Sequence, residues 1–196
     1  MKVGPDIATS DKLAAYFEEY RAMYDIQLLR ITALDRRVPV TAGAMAAVIA
    51  ALDVVSAESQ LLLLLCVPVA LIWFVRATVN HARSSEDVLR RIEEIETAVN
   101  ALLGGPVIYF QSRHPSRGQK IGGRTGQESV SAVLATSLLV LGAAGYRMRR
   151  GKLLPASFEF IYVVALGLVG ILVLHQVIKL SRYRYQPSLN LGDELR

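Results

Sequence analysis

The sequence predicts an all-α integral membrane protein, with four transmembrane helices and a cytoplasmic antiparallel helical stalk. Three observations lead there. Residues 60–75, 130–146 and 160–178 contain no Asp, Glu, Lys or Arg, and 38–57 contain only Asp53, although the chain carries 22 basic and 17 acidic residues. A soluble helix of that length would set a charged face over an apolar one, so these stretches read as segments solvated by lipid or by each other. Two amphipathic patterns flank the first pair of stretches. Finally, a 53% apolar composition with a single cysteine, Cys66, inside an apolar run excludes disorder, a disulfide-stapled fold and a cysteine-built zinc site.

The first 37 residues form the first cytoplasmic segment. Leu13, Phe17, Tyr20, Tyr24, Leu28, Ile31 and Leu34 recur at intervals of three or four after Ser10, a suitable N-cap, and predict an amphipathic helix of coiled-coil character. No apolar signal core occurs in the first 30 residues, so insertion is expected to rely on internal spans. A transmembrane hairpin over 38–79 follows, with span 1 at Val38 to Ala57 and span 2 from Ser59 to about Val75, joined by a tight turn at 56–59. Pro68 in span 2 removes one amide donor, which frees a carbonyl and should kink the helix.

Residues 80–103 form the second amphipathic helix, with Val88, Ile92, Ile95, Val99 and Leu102 as its seam and Arg90, Arg91, Glu93, Glu94 and Glu96 beside it. Because span 1 and span 2 are antiparallel, this helix should lie against the first one. At 1.5 Å per residue the paired segments form a stalk of roughly 35 to 42 Å. Residues 104–129 break the pattern with six glycines and two prolines, and no acid appears before Glu128. Spans 3 and 4 occupy 130–180, and 181–196 is a cytoplasmic tail. A fifth span through 98–110 is rejected, because it would cover only 13 residues and holds a Gly-Gly-Pro break.

Lys and Arg set the orientation. Placing both termini in the cytoplasm of a cell with an inner membrane puts 18 basic residues inside and 4 outside, those in the connector from Arg147 to Lys152. Trp73, Phe74, Phe158, Phe160 and Tyr162 fit interfacial belts, and the Arg182, Tyr183, Arg184, Tyr185 sequence suits a headgroup anchor rather than a nucleic-acid patch. Gly43, Ala47 and Ala51, Gly142 with Gly145, and Gly167 with Gly170 provide small faces for close helix packing.

Candidate functional residues fall in two places. In the basic loop, Arg113, Arg117, Lys120 and Arg124 are candidates for an anion or lipid headgroup, since arginine offers paired donors to phosphate and glycines let backbone amides converge. Gly118 to Thr125, GQKIGGRT, approximates a phosphate-binding loop, with Arg124 in the lysine position, but no buried strand leads directly into it, so hydrolysis is not expected. Asp53 and His175 are candidates for a polar path in the bundle, against the alternative of helix packing. The three histidines stand apart, so no metal site and no cofactor is expected. The expected partners are membrane lipids, further copies of the chain, and a cytoplasmic protein or phosphate-containing ligand, without nucleic acid.

The succession EEYRAMYDIQLLRITALDRR, a two-span hairpin, then EDVLRRIEEIETAVNALL resembles the layout of small bacterial membrane effectors of the SLATT type over residues 10–103. The resemblance implies an oligomeric pore-forming or membrane-perturbing protein under a cytoplasmic signal. The expectation is therefore a non-enzymatic, channel-like effector, with a membrane scaffold that recruits a partner through its stalk as the alternative.

Overall fold

The computed structural model describes residues 8–51, 54, 56–113, 121, 123–151 and 154–185. Its regular structure is helical throughout these residues, in four helices: α1 (Thr9–Ala51), α2 (Ala57–Leu102), α3 (Gly123–Gly151) and α4 (Ala156–Ser181). Three of them, α2, α3 and α4, are long and apolar enough to cross a membrane. In α1 the apolar part within the helix runs from Val38 to Ala51 and would extend about 21 Å at the usual rise.

The amphipathic segments and the hairpin spans are continuous helices. α1 carries Pro39 inside it, and α2 runs unbroken for 46 residues, about 69 Å in length. Ser56 caps α2, accepting from the Ser59 amide at 3.5 Å, and Glu58 places a carboxylate in the first turn. Pro68 lies within α2 and has no amide to offer the Leu64 carbonyl. The Tyr162 hydroxyl, reaching across from α4, donates to that carbonyl at 2.7 Å. The proline's cost in one helix is thus offset by a side chain from another.

α2 is the axis of the molecule. α1 and α3 lie antiparallel to it and in contact with each other, while α4 runs parallel to α2 and packs on α2 and α3. The apolar core has two clusters. One centres on Met45, Leu64, Leu71, Val140 and Met148, and the other on Val75, Val79, Ala82, Val130 and Val173. Small residues permit two of the closest approaches. A Cβ on Gly126 would lie 3.6 Å from that of Ala82, and one on Gly145 would meet the Leu166 side chain at 3.3 Å, whereas Gly43, Gly142 and Gly167 face open space.

The stalk segments do pair. Gln27 and Ser85 exchange hydrogen bonds of 2.9 and 3.2 Å, Tyr20 donates to Glu96 at 3.3 Å, and Arg91 binds Glu19 at 2.7 Å. On α2, Val88, Ile92, Ile95 and Val99 are buried as their periodicity predicts. On α1 the face is rotated from the predicted seam. Leu34 is 1% exposed, but Tyr24 is 44% and Leu28 61% exposed, and Phe17 also points outward. Two apolar stripes run side by side on α1, and the polar pairs at Glu19, Tyr20 and Gln27 select the one that faces α2.

Candidate functional site

The predicted anion loop begins at the far end of the stalk. α2 closes with Leu103 as C-cap and Gly104 at φ 71°, a left-handed conformation that favours glycine. The Gly105 amide donates to the Asn100 carbonyl at 3.1 Å and the Gly104 amide to Ala101 at 3.3 Å, so two terminal carbonyls are satisfied. The chain then turns back along α2. Asn100 accepts from the Val107 and Ile108 amides at 2.7 and 3.0 Å and donates to the Ile108 carbonyl at 2.6 Å. One helical turn earlier, Glu96, fully buried, accepts from the Gln111 and Ser112 amides at 2.8 and 2.7 Å.

These two side chains, four residues apart on one face of α2, hold segment 104–112 as a cap on the stalk. A buried carboxylate is tolerated here because two amides and the Tyr20 hydroxyl replace its water. Burial, and then Glu96, push the Tyr20 hydroxyl up to about 12. Beside the cap, Tyr20 stacks on Tyr24 with centroids 6.3 Å apart, and Tyr24 meets Phe110 edge-on at 5.9 Å.

Arg113 follows the cap, exposed, with its guanidinium 4.8 Å from the Tyr109 ring centroid. Arg124 belongs to the first turn of α3, and that turn lies beside Ala82. The levels of Glu96 and Ala82 are about 21 Å apart along α2, so Arg113 and the start of α3 occupy different ends of the stalk. Arg117 and Lys120 lie outside the described residues, as does Asp53. His175 is exposed on α4.

A second constellation gathers at the root of the stalk, where α4 ends against α2 and the start of α3. Tyr183 donates to Asp87 at 2.5 Å, and the Arg83 guanidinium sits 5.7 Å from the centre of its ring. That hydrogen bond, with burial second, pushes the Tyr183 hydroxyl up to about 12. Arg90 pairs with Glu86 at 2.7 Å and Glu93 at 3.0 Å. Between these groups opens a cavity of about 610 Å³. Arg90 and Arg184 bring positive charge to it, Ser131, Ser181, Tyr183 and Tyr185 bring hydroxyls, and Val130, Val177 and Leu180 form an apolar wall.

This lining is equipped to bind an amphiphile with a negative end. Among the described residues, no group of three His, Cys, Asp or Glu side chains is positioned to hold a metal ion. On the opposite side of the stalk root, burial lowers the pKa of His81, with Arg37 and Arg30 adding to the effect. Arg30 also donates to the Ser84 carbonyl, tying α1 to α2 there.

Sequence reasoning singled out Tyr183, Arg184 and Tyr185 but not the cavity that they close with Glu86 and Arg90. The one local signal was the Glu86 and Arg90 spacing of four, which marks an ion pair on any helix. Glu96 and Asn100 carried a comparable signal, a polar pair one turn apart immediately ahead of a Gly-Gly-Pro break. Neither a family model, nor a curated protein, nor a solved structure matches the chain.

Proposed function

We propose that the chain is a non-enzymatic, oligomeric membrane protein of the inner membrane, in which a signal received by the cytoplasmic stalk alters a channel-like or membrane-perturbing bundle. The reading places Val38 to Ala51 of α1 and its continuation as the first of four spans, with both termini in the cytoplasm. The observation that carries it is the outer face of α1. In the stalk that face presents Phe17, Tyr24 and Leu28 to water, where no lipid covers them. Further along the same helix Ala42 and Ala46 continue that face, both exposed and both small enough for another helix backbone to approach closely.

A second copy in the same membrane, in the same orientation, meets both halves of this face at once. Glu18, Arg21 and Asp25 beside the aromatic stripe carry both signs, so neighbouring copies are not forced into like-charge contact. The 46-residue α2 then links the stalk cap to the outer end of the bundle, and the Gln27 to Ser85 pair fixes its register against α1. A ligand or partner that favours one arrangement of the stalks shifts the bundle with it.

The test is native mass spectrometry of the nanodisc-held protein, followed by ion flux from vesicles. A defined oligomer with flux supports the reading. A monomer without flux leaves the alternative, a scaffold whose exposed aromatic stalk face recruits a cytoplasmic protein.

A further inference from the structure

We propose that the cavity where α2, α3 and α4 converge is a binding site for the phosphate headgroup of an anionic phospholipid. The inference rests on the membrane reading above and adds to it a defined lipid ligand.

Three features of the cavity point the same way. Its lining carries more basic than acidic groups. Glu86 is paired with Arg90 at 2.7 Å, an arginine that also reaches Glu93 at 3.0 Å, and Arg184 adds a further guanidinium, with Arg182 two residues before it. Ser131 stands beside that charge as a neutral donor, the Ser181 hydroxyl being engaged with the Ile178 carbonyl at 2.7 Å, and a hydroxyl with a guanidinium is a donor set a phosphate monoanion takes. Its size, about 610 Å³, lies within the range of sites that enclose small molecules.

The apolar wall separates a lipid from a soluble anion. Val130, Val177 and Leu180 line the cavity on the side of the bundle. Below them Ile178, Leu174 and Ile171 follow one another down a single face of α4, each exposed. A headgroup seated at Arg184 therefore directs its acyl chains onto a ready apolar track, and in the proposed orientation the cavity opens at the cytoplasmic headgroup level, where anionic lipids meet basic pockets between helices. Inorganic phosphate shares the headgroup chemistry but has no use for the track.

The full-length protein in nanodiscs, washed with zwitterionic lipid and examined by native mass spectrometry, distinguishes the sources. The expected result is retention of phosphatidylglycerol over phosphatidylcholine, and little displacement by millimolar inorganic phosphate. Arg184→Gln should weaken retention about tenfold, equivalent to about 1.4 kcal/mol. Ser131→Leu, which fills the cavity without touching a charge, should weaken it in the same direction, while Arg113→Gln at the stalk cap should leave it unchanged. Equal retention of the two lipids, an unaltered Arg184→Gln variant, or full displacement by phosphate overturns the lipid site. A chain that never enters the nanodisc refutes the membrane reading and the site together, whereas insertion without selective retention overturns the site alone.

Discussion

The two halves of the α1 and α2 hairpin hold together by different means. In the stalk, polar side chains specify which faces meet: Gln27 with Ser85, Glu19 with Arg91 and Tyr20 with Glu96. In the apolar half the described core is made of packed apolar side chains, and the Tyr162 hydroxyl crosses between helices to the Leu64 carbonyl. The contrast extends to coverage. Only 17% of the apolar stretch of α4 is buried, while along the stalk α2 buries even Ser85, Glu86 and Glu96. Where water is the solvent, a misrotated helix loses hydrogen bonds, so polar pairs can choose among apolar stripes. The three helices with this exposed apolar surface are long and apolar enough to cross a membrane, and in lipid apolar faces would gain little from covering one another.

The largest expected effect lies at the cap. Glu96→Leu leaves the Gln111 and Ser112 amides and the Tyr20 hydroxyl without their acceptor, at about 1–3 kcal/mol for a typical buried group left unsatisfied and more for several together. Fast hydrogen exchange at residues 107–112 should follow, while the bundle amides stay protected. The same kind of deletion in the apolar half is smaller because only one group is orphaned. Tyr162→Phe should cost about 1–3 kcal/mol through the free Leu64 carbonyl, read as earlier unfolding in detergent titration, and Pro68→Ala in that background should restore most of it.

Gly104→Ala probes the backbone of the cap without touching its side-chain bonds. The left-handed φ should cost it about 1 kcal/mol, seen as loosened protection at Gly105. The smallest effect is the pH response of the stalk root. The folded state holds the His81 pKa below its ordinary 6.5, so the unfolded chain binds the proton first as pH falls. Stability is therefore full above about 6.5 and declines as acidification proceeds below it. His81→Gln should flatten that slope in thermal unfolding measured from pH 7.5 to 5.

Much of this architecture was legible in the sequence. The absence of charge from three long stretches located α2, α3 and α4, the spacing of Val88, Ile92, Ile95 and Val99 located the buried seam of α2, and Pro68 announced a carbonyl in need of a donor. The identity of that donor was not legible, because Tyr162 lies 98 residues away and reads locally as an interfacial aromatic. α1 misled for a physical reason. Phe17, Tyr24 and Leu28 have the period of a core face, and period alone does not distinguish a face that meets its own chain from one that stays exposed. The cavity at the stalk root was hidden for the same reason as Tyr162: its walls come from three helices, and only Arg184 with its flanking tyrosines stood out in isolation.

The central claim is that the outer face of α1 meets a second copy of the chain. Pairwise cysteine cross-linking in membranes tests it most directly, in a Cys66→Ala background so that the introduced thiol stands alone. The account predicts that Leu28→Cys and Ala46→Cys each give a disulfide-linked dimer on mild oxidation, whereas Ser85→Cys, buried against α1, gives none. Absence of dimer at both outer positions, or dimer of equal yield at all three, would contradict it.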